Sequence, residues 1–184
     1  MTEDHVKDTA TKGGTFDRFY GMPPTAFWNW VMIRHIQDSM WKVTDRLAGR
    51  CGLSASQYIT LFMVCSAKHP VKQADLGPWL FQEQNTISGL VSRMEKKGLI
   101  RRERSREDRR QVLIGPTAVG HELVRKAYEA ICDISVDFLS SISMDEHEQL
   151  AALLTKLRAK AFTYLDICAE EMDGLVGKRG EQSA

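Results

Sequence analysis

The sequence predicts a mainly α-helical chain with one small β-wing, set between long terminal helices. Three observations carry that expectation. Apolar residues recur at three-and-four spacing through most of the 184 residues. Two capping boxes, Ser54 with Gln57 and Ser143 with Glu146, mark where helices begin. The stretch RRERSREDRRQVLI, residues 101–114, is where strand-like segments flank a polar turn.

The elements follow in chain order. Residues 25–48 form a first long helix with Trp28, Met32, Ile36, Met40 and Val43 on one stripe, started by Pro23 and Pro24 and ended by Gly49. A second helix begins at Ser54, where Leu53 can staple onto Tyr58. The segment VKQADLGPWL is at best a short third helix, because Gly77 and Pro78 limit its extension. QEQNTISGLVSRMEKKG then reads as a helix with Ile87, Leu90, Val91 and Met94 inward, Lys96 and Lys97 in its last turn and Gly98 just past its end. Residues 99–104 and 111–114 are the two strands of a hairpin. Beyond Pro116 an amphipathic segment runs to about residue 142, and a last helix from Ser143 reaches about residue 171. This order is a helix-turn-helix with a wing, held between helical arms.

The expected division is a flexible arm at 1–24, a winged helix-turn-helix at 51–116, a helical dimerisation region at 25–50 and 117–172, and a flexible tail at 173–184. Hydrophobic residues make up 43% of the chain, which argues against disorder throughout. No apolar run reaches a membrane span, and the N-terminus lacks signal-peptide order, so a soluble, cytoplasmic protein is expected. Cys51, Cys65, Cys132 and Cys168 are far apart, with no CxxC pair and no histidine at metal-like spacing. Reduced thiols are expected, with no metal and no cofactor. A phosphate loop, a zinc motif and a nucleophile elbow are all lacking, so no catalytic residue is assigned and an enzyme is not expected.

Charge is concentrated instead. From Arg93 to Arg110 nine basic residues face four acidic ones, a net of +5 in a chain whose formal total is +1. A solvated face would explain the charge but not its setting, where arginines bracket a tight turn directly after a polar helix. Duplex DNA recognition needs such a layout: short polar side chains for the major groove and a basic tip for phosphates or the minor groove. The candidate DNA-binding residues are Gln84, Asn85, Thr86, Ser88, Ser92 and Arg93 on the helix, and Arg106, Asp108, Arg109 and Arg110 at the wing. Asn and Gln can pair with adenine, Arg with guanine.

The last helix carries Leu150, Leu153, Leu154, Leu157, Ala161 and Leu165 at helical spacing, and residues 144–173 hold seven acidic side chains against three basic ones. Such a stripe fits a dimer seam turned away from DNA. An intramolecular helical hairpin is the alternative.

The wing residues Asp108-Arg109-Arg110, followed by VLIGPTAVG and preceded by LVSRMEKKGLIRRERS, resemble the multiple-antibiotic-resistance regulator (MarR) family of winged-helix transcription factors. The resemblance runs from about residue 53 to 120. It implies a homodimer whose terminal helices interlock and whose winged helices each read half of a near-palindromic operator. It also implies that Asp108 orients an arginine by a salt bridge while Arg110, with Arg109, enters the minor groove. A ligand site for small aromatic or amphipathic molecules is implied too, with Trp28, Met32, His35 and Phe62 as lining candidates, and so is a repressor released by such a ligand. Two departures stand out: Pro116 where the family prefers Leu, and Gly77-Pro78 ahead of the DNA-reading helix. Two other functions stay open, a thiol switch at Cys51 or Cys65 and a winged-helix protein-interaction module. Neither cysteine lies at the start of the first helix, where peroxide-sensing members of the family keep theirs.

Overall fold

The computed structural model describes residues 24–67 and 69–167. The N-terminal arm before Pro24, Cys168, the far end of the last expected helix and the tail from 173 lie outside the described residues. The chain divides into two compact units, one ending at Lys42 and one starting at Val43. The described part of the first unit is most of helix α1 (Pro24–Gly49).

From Val43 onward the order is α2 (Ala55–Ser66), β1 (Val71–Lys72), a 3-10 turn (Gln73–Asp75), α3 (Leu76–Leu80), α4 (Gln84–Lys96), β2 (Ile100–Arg104), β3 (Val112–Pro116), α5 (Ala118–Leu139) and α6 (Met144–Thr163). The expected mainly helical, winged architecture is present. The sheet has three antiparallel strands in the order β1-β3-β2, not the two expected. Two residues carry no periodicity from which β1 could be read; Val71 faces Ile114 and Lys72 faces Leu113 across β3.

Local chemistry sets the helix ends. Ser54 Oγ accepts from the Gln57 backbone N–H at 3.3 Å, while Gln57 Oε1 accepts from the Ser54 N–H at 3.1 Å. Asp45 on α1 satisfies a further free donor at the start of α2, accepting from the Ala55 N–H at 2.8 Å. Gly77 and Pro78 do not break a helix: they occupy the first turn of α3, where a missing proline N–H leaves no bond unmade. α3 ends at Phe81, which takes a left-handed φ of 52°.

α4 ends in a Schellman turn. The Leu99 N–H reaches the Met94 carbonyl at 2.9 Å and the Gly98 N–H reaches Glu95 at 2.8 Å, with Gly98 at φ 69°. The chain then enters β2, whose Ile100 pairs with Pro116 at the end of β3. Pro116 therefore closes a strand, and α5 begins beyond it. The N-cap of α5 is Thr117, which accepts from the Gly120 N–H at 3.0 Å and donates to the Gly98 carbonyl at 2.6 Å.

Leu61, Leu76, Ile87, Met94, Ile100 and Ile114, all essentially inaccessible, tie α2, α3, α4 and the sheet into one core. Each contributes about 1.5–3 kcal/mol by leaving water. At Gly120 the packing is closest, since an added Cβ would fall 2.0 Å from the Leu99 carbonyl oxygen and 3.0 Å from Leu61 Cδ2.

α6 differs from the core helices α2 and α4. It starts at the expected Ser143–Glu146 capping box but ends at Thr163, short of residue 171. Phe162 is its one buried residue, with the Phe81 ring 6.1 Å away and the Arg158 guanidinium 5.5 Å from its ring centre. Leu150, Leu153, Leu154, Leu157, Ala161 and Leu165 are all exposed in the single chain. An intramolecular hairpin burying that stripe is therefore not formed.

Candidate nucleic-acid interface

The site is built on α4 and the hairpin that follows it. Burial of Ile87, Leu90, Val91 and Met94 leaves Gln84, Asn85, Thr86, Ser88 and Arg93 exposed and Ser92 half-buried. The six do not share one environment. Gln84 Nε2 donates to the Ala74 carbonyl at 2.9 Å, and Ser88 Oγ accepts from Gln73 Nε2 at 3.1 Å. Gln73 Oε1 is buried without a hydrogen-bond partner among the described residues. Asn85, Thr86 and Ser92 make no side-chain hydrogen bond among the described residues.

At about 100° per residue, Asn85, Gly89, Ser92 and Lys96 share the face opposite the buried row. Lys96 is exposed there and is absent from the sequence-based candidates, because its place in the last turn read as a dipole-stabilising cation. Gly89 leaves the middle of that face bare, and the Arg93 guanidinium folds back across it, 3.3 Å from where a Cβ would stand.

Arg102 of β2 is held by Glu95 of α4: its Nε donates to Glu95 Oε2 at 2.8 Å and its Nη2 to the same oxygen. The hydrogen bond from Arg102 holds the Glu95 carboxyl below its usual range. This pair fastens the base of the wing to the end of α4 and removes Arg102 from the pool of free cations. Arg101 lies along the facing Gly115, its Nε 3.5 Å from where a Cβ would stand, and also pairs with Glu103 at 3.1 Å.

The wing tip is organised by two small acceptors. The buried Ser105 Oγ takes the N–H groups of Glu107 and Asp108, both at 3.3 Å. Asp108 accepts from the Arg110 backbone N–H at 3.0 Å and from Gln111 Nε2 at 3.2 Å. The expected salt bridge from Asp108 to an arginine side chain is not formed among the described residues. Asp108 shapes the turn through the Arg110 backbone instead, leaving the guanidinium groups of Arg106, Arg109 and Arg110 on exposed residues at the tip.

The residues expected to line a ligand site lie in different settings. Trp28, Met32 and His35 are exposed on α1. Phe62 on α2 is half-buried and stacks on Tyr128 of α5 with ring centres 5.7 Å apart. Cys51, Cys65 and Cys132 are free and half-buried, and burial pushes the Cys65 thiol up, away from a reactive thiolate. The described residues contain no group of His, Cys, Asp and Glu arranged to hold a metal. No helix among them is long and apolar enough to cross a membrane.

Comparison with known proteins fits this geometry. The MarR family model matches residues 52–111, which span α2 to the wing. The HTH-type transcriptional regulator SarZ of Staphylococcus haemolyticus is 32% identical over 109 residues, covering 57% of this chain and 72% of that protein. Among solved structures, the S. aureus MepR–DNA complex aligns with a TM-score of 0.65 and 29% identity, over 71% of this chain and 96% of that one. AbsC, a MarR family transcriptional regulator from Streptomyces coelicolor, shares the fold with a TM-score of 0.70 at 20% identity, over 76% and 96% of the two chains.

Proposed function

Since the chain belongs to the MarR family of transcriptional regulators, we propose that it is a dimeric regulator that binds duplex DNA, a repressor released by a small aromatic or amphipathic ligand. The observation that carries this reading is the shared module: an exposed polar face on α4 and the arginine tip at Arg106, Arg109 and Arg110, fixed to one another through Glu95 and Arg102. α4 enters the major groove and the tip reaches phosphates or the minor groove. MepR, solved as a DNA complex, supports the assignment.

A second copy of the chain supplies the symmetry that a near-palindromic operator demands. The exposed leucines of α6 are the surface for it. Two α4 helices then meet successive major grooves about 34–36 Å apart. A ligand releases the DNA only by preferring a dimer in which that spacing is lost, so ligand and DNA affinities are reciprocally coupled. Trp28, Trp30 and Trp41 on α1 are the fluorescence reporters of such binding.

Mobility-shift titration against a random duplex pool at several salt concentrations tests the proposal. Selection of a near-palindrome, with affinity falling steeply as salt rises, is expected because phosphate contacts release counterions. Absence of any duplex affinity would sink it and favour a protein-interaction module.

A further inference from the structure

The polar residues of α4 fall into two groups that sequence cannot separate. On one flank Gln84 and Ser88, a helical turn apart, are committed to the segment before them: Gln84 to the Ala74 carbonyl and Ser88 to Gln73. The Gln84 amide also fills the space over Gly77, where an added Cβ would come within 2.5 Å of Nε2. The face opposite the buried row carries Asn85, Ser92 and Lys96 around the bare Gly89, with Arg93 folded across it.

We propose that base reading falls to Asn85 and Arg93, assisted by Ser92 and Lys96, and that Gln84 and Ser88 are positioning residues that lock α4 onto the 3-10 turn and α3. This rests on the DNA-binding function proposed above. The chemistry follows from the geometry. Bidentate pairing of Asn or Gln with adenine needs an amide free to turn both its ends to the base edge, and the Gln84 amide is tied by one of its two N–H donors to the Ala74 carbonyl and held over Gly77. Asn85 keeps both ends. Gly89 lets the duplex edge approach the helix closely, and Arg93 is delivered to that gap, where a guanidinium suits guanine O6 and N7. Gly77 is the counterpart of the lock, because any side chain there displaces the Gln84 amide.

The test selects duplexes from a random pool with the wild type, Asn85→Ala, Gln84→Ala, Gly77→Ala and the double variant Gly77→Ala/Gln84→Ala. Each protein is then titrated on the selected duplex and on a scrambled one. Asn85→Ala loses the preference at one base pair of each half-site, about tenfold, and keeps the others. Gln84→Ala weakens every preference in proportion and abolishes none, while affinity for the scrambled duplex is unchanged; a loss of folded protein would lower both. Gly77→Ala behaves like Gln84→Ala, and the double variant adds little, because both changes release one amide. The proposal is overturned if Gln84→Ala erases a single base-pair preference, if Asn85→Ala leaves the profile intact, or if the two lock variants are additive. A wild type that selects no sequence removes the regulatory function itself, and this assignment with it.

Discussion

The winged module and α6 are both supplied with leucine and methionine at helical spacing and give these residues opposite fates. In the module Leu61, Ile87, Met94 and Ile114 have no accessible surface. On α6 Leu153 and Leu157 are 58% and 53% exposed, and Phe162 alone is buried. A module with its own core can hold its shape within one chain, whereas an exposed leucine stripe calls for another surface. The difference separates a unit that is packed within one chain from a stripe that is not.

The largest test of that contrast is aimed at α6. Leu153→Asp with Leu157→Asp places carboxylates on the stripe, and if two copies meet there the charges are buried unpaired and the dimer dissociates. Light scattering should show a halved mass, and circular dichroism should show a retained module. A persisting, folded dimer would place the interface elsewhere.

Where α5 packs on the module, a small change expected to be damaging is Gly120→Ala. The added methyl cannot coexist with the Leu99 carbonyl at 2.0 Å, so α5 must shift, at a cost of about 1–3 kcal/mol or more. A thermal melt of the variant should show a clearly lowered midpoint. A midpoint within error of the wild type would mean that α5 is free to move away from β2.

Arg110→Ala is expected to leave the melt unchanged and to weaken duplex binding by about 1–3 kcal/mol. Asp108→Ala should weaken it as well, despite deleting a negative charge, because the Arg110 N–H and Gln111 lose their acceptor. Tighter binding by the Asp108 variant in a mobility-shift titration would show that its charge, and not the turn it holds, is what matters.

The smallest effect concerns acid. Hydrogen bonds from Arg125 and then Lys126 lower the Glu122 carboxyl from 4.5 to about 2. The unfolded chain therefore takes up this proton more readily than the folded one. The pair's stabilisation is complete above about pH 4.5 and is lost as the pH falls towards about 2. Glu122 is solvent-exposed, so Glu122→Gln should change the melting temperature only slightly at neutral pH and flatten its decline between pH 4.5 and 2. An undiminished decline in the variant would assign the acid sensitivity to other carboxylates.

The features legible in the sequence are those decided within a few residues. Ser54 with Gln57, Ser143 with Glu146 and Gly98 after α4 each stand where short-range hydrogen bonding placed them. The inward row of α4 followed from periodicity. What could not be read depends on contacts between distant residues. β1 is a strand only because β3 lies beside it, and Gln84 is committed only because Ala74 returns to meet it. Asp108 illustrates both sides: its place at the wing turn was legible, while its choice of a backbone N–H over a guanidinium was not. Lys96 stands in the last turn of α4, where the sequence placed it.

The junction at Thr117 has a mechanical meaning. Its hydroxyl holds the carbonyl of Gly98, its N–H holds Leu99 at 3.1 Å, and Gly120 lies against that same Leu99 oxygen. The end of α4 and the start of α5 are thus welded within one turn of chain, with no slack between them. α5 is about 33 Å long at 1.5 Å per residue. A rotation of about 5° at the weld swings its far end by about 3 Å over that length. Read in the other direction, a shift of one side chain's thickness at the tip of the arm is geared down to a small, stiff turn of the end of α4.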